Sequence, residues 1–255
     1  MNRLLGGACA LVLFLLAAAP AKAGDFKGAY IGLTIGGVSN TANASTTTVF
    51  SPTGYFAASS VPAIATTGAQ KLSPSGFTFG GQFGFNLQHH AFVIGVETDL
   101  GSMNISASKT STATYPCCAP TAFTITQFVG TSYLFTLRPR VGFTAGPVLV
   151  YGTGGLALTS VDHSALFTDT FATAHEGGDQ TSTQAGWAAG AGLEFKVKKH
   201  LSLKGEYLHT DFGSQSFTRT NLTAFTPPIA FPTNIFTHKE SLTGNVYRFG
   251  FNYRF

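Results

Sequence analysis

No stretch after residue 23 is apolar for long enough to cross a bilayer as a helix, which takes about 20 consecutive apolar residues. A helical membrane protein is therefore excluded. Charge is scarce: Asp, Glu, Lys and Arg make up 10% of the 255 residues, against roughly a quarter in an ordinary soluble domain. Cysteine is nearly absent, with 3 in the chain. Cys117 and Cys118 are adjacent, so they cannot staple distant elements, and their redox state is open from the sequence. No further ligands stand near them at a metal-site spacing. Basic stripes are missing too, which removes the electrostatic footprint of a nucleic-acid binder.

What the chain has in excess is glycine and phenylalanine, 30 and 24 residues. Low charge, high Gly and Phe, and no apolar 20-mer beyond the start point together to strands in a membrane rather than helices. The start itself reads as an export signal. Arg3 supplies the positive end, an apolar stretch runs to Ala19, and Ala21-Lys22-Ala23 offers small residues at both positions that a signal peptidase reads. Cys9 lies early in the apolar stretch, the wrong place for a lipoprotein cysteine. Cleavage is expected after Ala23, giving a signal peptide over 1–23 and one domain over 24–255. Losing Arg3 and Lys22 lowers the basic count from 15 to 13 against 11 acids, a formal charge of +2.

The chain ends VYRFGFNYRF. Tyr247, Phe249, Phe251, Tyr253 and Phe255 alternate with Arg248, Gly250, Asn252 and Arg254, and period two means a strand. Seven earlier segments alternate in the same way. In SGFTFGGQFGFNL, Phe77, Phe79, Phe83, Phe85 and Leu87 share a face. AFVIGVETDLGSM sets Phe92, Ile94, Val96 and Leu100 opposite Glu97 and Asp99. SYLFTLRPRVGFT sets Tyr133, Phe135, Leu137, Val141 and Phe143 opposite Arg138 and Arg140. The fifth segment, VLVYGTGGLALTS, loses its parity between Tyr151 and Leu156, which predicts a β-bulge. Between the segments the connections run long, short, long, short, long, short, long. The long ones are about 35, 25, 20 and 28 residues, and the short ones are QHH, AGP and KKH. That spacing predicts an all-β fold: an eight-stranded antiparallel up-and-down transmembrane barrel with short periplasmic turns and long outer loops. Lipid offers backbone groups no partner, so the sheet has to close.

With the aromatics facing lipid, the opposite parity lines the lumen. It carries Glu97, Asp99, Glu194 and Glu206 with Arg138, Arg140, Lys196, Lys204, Arg248 and Arg254, a candidate charge network. Lys196 and Arg254, near strand ends, are the members expected to sit in water. Eight strands enclose a space that side chains can fill.

Several of these segments resemble a known group. KGAYIGLTIGG, TLRPRVGF with YGTGGLA, GAGLEFKV with LKGEYLHTDFG, and NVYRFGFNYRF are similar, in that order, to the small outer-membrane β-barrel proteins of alphaproteobacteria. These are surface antigens often labelled porin-family proteins and are distant relatives of the OmpA transmembrane domain. The similarity covers all eight strands and not the long loops. It implies residence in the bacterial outer membrane, contact with lipid and lipopolysaccharide, and a surface-exposed structural or adhesive role. It also implies that Tyr247, Phe249, Phe251, Tyr253 and Phe255 form the sorting signal read by the outer-membrane assembly machinery. Host-surface ligands would meet the outer loops, where Phe217, Phe225, Ile229, Phe231 and Phe236 are candidate apolar contacts; the equal alternative is that these residues pack on one another as strand extensions above the membrane.

Two other functions compete. A small porin-like channel would pass ions or small solutes along Arg138, Arg140 and Arg248. A lipid A-modifying barrel enzyme would use His209 and Asp211, but a hydrolase also needs a serine nucleophile in reach, and none stands at the required spacing. No cofactor and no metal is expected. The remaining histidines are expected in solvated places: His89, His90 and His200 in periplasmic turns, His163, His175 and His238 in outer loops.

Overall fold

A computed structural model describes residues 25–255; the expected signal peptide lies outside the described residues. Eight long strands dominate: β1 (Gly28–Thr48), β2 (Ser75–His89), β3 (Phe92–Thr114), β4 (Ala122–Ala145), β5 (Val148–Asp169), β6 (His175–Lys196), β7 (Leu201–Arg219) and β8 (Phe236–Arg254). Each pairs antiparallel with the next. β8 closes the ring on β1, from Tyr30↔Arg254 to Thr48↔Phe236. The barrel predicted from period two is therefore present, with both described chain ends on the side of the tight turns. His90 and Gly146 supply the positive backbone angles, φ 56° and 59°, that two of those turns use.

The strands run 15 to 24 residues, well past the stretch that alternation marks. A strand of about 24 residues is ~80 Å long at ~3.3 Å per residue. Tilted at ~45° it stands about twice as tall as the ~25 Å apolar band of such barrels. The upper half therefore projects beyond the lipid. This shortens two connections expected to be long, to 115–121 and 170–174. The other two stay long. Residues 49–74 carry a helix, α1 (Ser60–Gly68), and a short strand, Gln70–Leu72, on β1; residues 220–235 hold two two-residue strands.

The outer wall is apolar around its lower half. Ile31, Leu33, Phe79, Phe83, Val141, Leu193, Phe249 and Phe251 are all exposed there, Phe249 at 71%. In water so much exposed aromatic surface would aggregate; facing acyl chains it is the correct solvent match.

The parity break is not where the sequence suggests. The β5–β6 register runs unbroken through Tyr151↔Gly192 and Leu156↔Trp187. Val150 and Leu156 both face out, and Tyr151 is buried in the lumen. Its ring belongs inside because its hydroxyl finds a carboxylate there, as shown below. The register shifts instead on β4, between Thr131 and Phe135. There the inward parity passes from Thr131 to Leu134.

Candidate functional site

The lumen is built in layers. Inside the apolar band lies an ionic belt of Arg138, Arg140, Lys204, Arg248 and Arg254 against Glu97, Asp99, Glu194 and Glu206, each 6% exposed or less. Period two on adjacent strands delivers them in register: Glu97↔Arg138 across β3 and β4, Glu194↔Lys204 across β6 and β7, Arg248↔Glu206 across β8 and β7. Arg138 Nη2 reaches three carboxylates: Asp99 at 2.8 Å, Glu97 at 3.0 Å and Glu206 at 3.3 Å. Arg248 clamps Asp99 at 2.9 Å and Glu206 at 2.6 Å. Lys204 Nζ bridges Glu97 at 2.6 Å and Glu206 at 3.2 Å. Arg140 meets Glu194 at 3.1 Å and Glu97 at 3.4 Å, and Arg254 joins Glu194 at 2.9 Å. Every carboxylate thus has at least two cationic neighbours, the condition under which charge survives away from water.

Two tyrosines complete the belt. The Tyr30 hydroxyl donates to Glu97 at 2.7 Å and the Tyr151 hydroxyl to Glu206 at 2.8 Å. The Arg140 guanidinium lies between their rings, 4.8 Å and 4.9 Å from the centroids. Two inward glycines make the room. A Cβ on Gly84 would stand 2.2 Å from the Tyr30 ring, and one on Gly192 would stand 2.3 Å from the Tyr151 hydroxyl. Lys196 stays out of the belt. It is the last residue of β6, partly exposed, and its ammonium binds the Asp25 carbonyl at the rim. Arg254, the other residue expected in water, is 5% exposed and held by Glu194. Below the belt Phe26, Val93 and Leu149 close the periplasmic end.

Above the belt comes an apolar layer that includes Val38, Met103, Ile105, Val129, Leu208, Leu242 and Val246. A second polar layer sits over it, beyond the lipid. Here His238 is fully buried, with Nδ1 3.0 Å from the Thr46 hydroxyl and Nε2 3.2 Å from Glu176. His163 is 4% exposed. These two histidines are therefore not in solvated loops as expected: the strands continue past the membrane, and their inward parity continues with them. The Phe217 ring lies 5.4 Å from His163 and 4.9 Å from His238.

The top is an aromatic cap of Phe56, Tyr115, Phe123, Phe167 and Phe236. The Tyr55 and Tyr115 hydroxyls both donate to Asp169 Oδ2, at 2.5 Å and 3.0 Å. Burial first, and then the carboxylate, push both phenols well above their ordinary range and keep them as donors. Cys117 and Cys118 are joined in a disulfide beside this cap. Of the candidate loop contacts, Phe217 and Phe236 are buried, Phe231 packs partly against the cap, and Phe225 and Ile229 are exposed.

His209 and Asp211 share the outward face of β7, and each is engaged by another partner. The His209 Nδ1 is 3.0 Å from the Asn245 amide oxygen, and the Asp211 carboxylate accepts from the Gly213 N–H at 2.8 Å. Among the described residues no three of His, Cys, Asp or Glu gather as a metal site.

A closed ring with an apolar wall and charges turned inward is a transmembrane β-barrel of the outer-membrane type. The chain belongs to the outer membrane protein beta-barrel domain family, whose model matches residues 8–255. It is 34% identical over 152 residues to the 31 kDa outer-membrane immunogenic protein of Brucella melitensis, covering 59% of this chain and 60% of that protein. It is 32% identical over 145 residues to the 22 kDa outer membrane protein of Rhizobium leguminosarum bv. viciae, covering 55% and 56%. The match thus spans less than two thirds of either relative. Among solved structures, OprG from Pseudomonas aeruginosa aligns over 91% of this chain and 98% of its own, at 12% identity and a TM-score of 0.48. The Neisserial surface protein A aligns over 90% and 98%, at 13% identity and a TM-score of 0.34. The protein is an outer-membrane β-barrel.

Two predictions arise from the lumen. Replacing Arg138 by Met leaves Glu97, Asp99 and Glu206 short of a cation, and should cost about 3–5 kcal/mol. Urea unfolding of the barrel in lipid vesicles measures it, and a change below ~1 kcal/mol would mean that water reaches the belt.

The second concerns pH. Burial, with a lesser contribution from His238, pushes the His163 imidazole down from its usual 6.5 to about 4. The unfolded chain therefore binds a proton that the folded chain refuses between those values. Stability from this group is complete above 6.5, declines as pH falls towards 4, and is flat below. The variant His163→Gln should show a shallower loss of stability across that window; an unchanged pH profile would reject the assignment.

Proposed function

We propose that this protein is a closed structural barrel of the outer membrane whose projecting rim is an interaction surface, and that it is neither a channel nor an enzyme. The observation that carries the reading is the filled lumen: an apolar plug, an ionic belt, an apolar layer, a second polar layer and an aromatic cap follow one another along the axis. The engagement of His209 by Asn245 and of Asp211 by the Gly213 N–H supports the absence of lipid A chemistry. The wall meets lipid and lipopolysaccharide. On the rim Phe50, Phe171, Phe225, Ile229 and Ile235 are exposed above the apolar band, and such residues suit contact with a host surface or neighbouring envelope components. The Brucella relatives are called outer-membrane immunogenic proteins, which agrees with exposure at the cell surface.

Export fits the same reading. Residues 1–23 would be removed as a signal peptide, leaving 24–255 to enter the membrane. Tyr247, Phe249, Phe251 and Tyr253 face outward on β8 and Phe255, just after it, is exposed, which makes them available both to the assembly machinery and later to lipid. Changing Phe251 and Tyr253 together to Ser should lower the amount of heat-modifiable barrel in outer membranes several-fold. Normal amounts would separate the tail from the sorting role.

The channel alternative is tested in planar bilayers. The filled lumen predicts no large steady conductance from the purified protein, only small or rare events. Stable anion-selective steps whose selectivity changes in Arg140→Glu would overturn the closed-barrel reading.

A further inference from the structure

Above the lipid the outer wall is electrically divided. No Asp or Glu stands between Asp25 and Glu97, or between Asp99 and Asp162. β1, the loop 49–74, β2, the upper half of β3 and all of β4 therefore carry no acid. The one acid of β8, Glu240, points inward and is 1% exposed. The outward acids Asp162, Asp179 and Asp211 lie on β5, β6 and β7. On the acid-free side Lys71, Lys109 and Lys239 are exposed.

Two of these lysines flank a trough. On β1 the outward side chains of Asn43 and Ser45 are short. Asn43 pairs with Lys71 on one side and with Ser241 on the other, and Ser45 pairs with Lys239. Long side chains thus rise on both sides of short ones, all on the outward parity. Together they line a cleft of about 450 Å³, the share of roughly fifteen waters at ~30 Å³ each. Neither ammonium has a hydrogen-bond or ion-pair partner among the described residues, and neither has the Asn43 amide. The Lys109 ammonium donates to the Lys71 carbonyl at 3.5 Å and brings a third positive charge beside the cleft. Asp211, on the strand next to β8, stands five residues below Ser216, the partner of Lys239. That is about 17 Å at ~3.3 Å per residue, beyond the ~8 Å over which exposed charges act at physiological salt.

The height of the trough decides which anion meets it. Asn43 stands eight residues above Ile35, and Lys239 eight residues above Tyr247. Ile35 and Tyr247 are the highest large apolar residues exposed on β1 and β8. Eight residues at ~3.3 Å each and a ~45° tilt raise the trough roughly 19 Å above them. Acyl chains do not reach that level; the saccharides of an outer-leaflet glycolipid do.

We propose that the trough between Lys71 and Lys239 binds a core sugar bearing a carboxylate or phosphate, part of one lipopolysaccharide molecule seated against this side of the barrel. The proposal rests on the reading that the wall meets lipopolysaccharide, and adds the place and the charges that hold it. An anionic group between two ammoniums meets complementary charge on both sides. The Asn43 amide and the Ser45 hydroxyl offer neutral donors to the same oxygens. Exposed charges of this kind bind weakly by themselves. Acyl chains already hold the saccharide beside the wall, and that raises its effective concentration at the trough.

The test uses the full barrel in detergent micelles, with native mass spectrometry counting bound ligand. The probes are lipid A carrying its core saccharide, lipid A freed of the core by mild acid, and the soluble core saccharide. The parent should bind the core-bearing form at one equivalent, about tenfold more tightly than lipid A alone, and the soluble saccharide far more weakly. Lys71→Gln combined with Lys239→Gln should abolish the preference for the core-bearing form, and Lys71→Arg combined with Lys239→Arg should keep it. Lys198→Gln combined with Lys199→Gln removes the same charge from a periplasmic turn, where both lysines are exposed, and should bind as the parent does. The heat-modifiable band on gels reports that each variant has folded. The proposal is overturned if the Gln variant at positions 71 and 239 keeps the preference. It is also overturned if the soluble saccharide binds as tightly as the core-bearing glycolipid, which would assign the trough to a free glycan. Equal binding of both glycolipids by the parent overturns the trough and leaves the wall's contact with lipopolysaccharide standing; binding of neither removes both.

Discussion

Everything in this structure depends on one bond ladder, that between the first strand and the last. A sheet in lipid has no water to satisfy a free edge, so every backbone group on β1 and β8 must find its partner on the other. The ring that results has an even number of strands, which puts both described ends on the short-turn side. It is also narrow. Eight strands leave room for side chains and little else, so the inward face becomes a packing problem. Large polar groups are opposed by glycine, as Tyr30 is by Gly84 and Tyr151 by Gly192. The excess of glycine is therefore partly a consequence of closure.

The same narrowness decides the form of the charges. An isolated arginine in such a lumen would be prohibitively desolvated, and an isolated pair is rarely better than a well-packed apolar equivalent. The belt avoids both cases by sharing. Asp99 and Glu206 are each held by Arg138 and Arg248, and Glu97 is held by Arg138, Arg140 and Lys204. Removing any one member disturbs several contacts, so the belt behaves as a unit rather than as a sum of pairs. It ties β3, β4, β6, β7 and β8 across the axis, where the wall alone ties only neighbours.

How legible this was depended on what each strand faces. Within the lipid band the two faces differ sharply. Phe83 against Gln82 or Phe249 against Arg248 declares the strand, its orientation and the inward parity, and so the belt carboxylates and arginines were placeable from sequence. Above the lipid the contrast fades. In 104–114 and 159–169 the outward face is mostly Ser and Thr, while the inward face mixes Ile105, Ala107, Val161 and Ala165 with Ser111, Thr159 and His163, so neither face stands out. Above the lipid the sequence therefore leaves strand extension and loop equally open, and His163 and His238 read as loop residues. Tyr30 and Tyr151 were missed because a tyrosine suits either side: its ring suits lipid and its hydroxyl suits a carboxylate. Lys196 obeys the inward parity but lies at the strand end, where parity no longer means burial.

The upper half also explains how a surface built of loops can be rigid. Loop 49–74 contributes Tyr55, loop 115–121 contributes Tyr115, and both donate to the one carboxylate of Asp169 at the end of β5. The other oxygen of Asp169 accepts from the backbone of Ala172 and Ala174, which fixes the loop 170–174. Three connections are thus pinned to a single side chain, above an aromatic core of Phe56, Phe123, Phe167 and Phe236. Among the exposed rim residues, the Phe171 and Phe225 rings each lie 6.2 Å from the Tyr55 ring, at the edge of that core. Tyr55, held by Asp169, thus keeps them in place for a partner. Holding contact residues in advance removes an ordering cost from association. The long strands therefore do two things together: they lift the rim clear of the membrane, and they carry the packing that keeps it ordered.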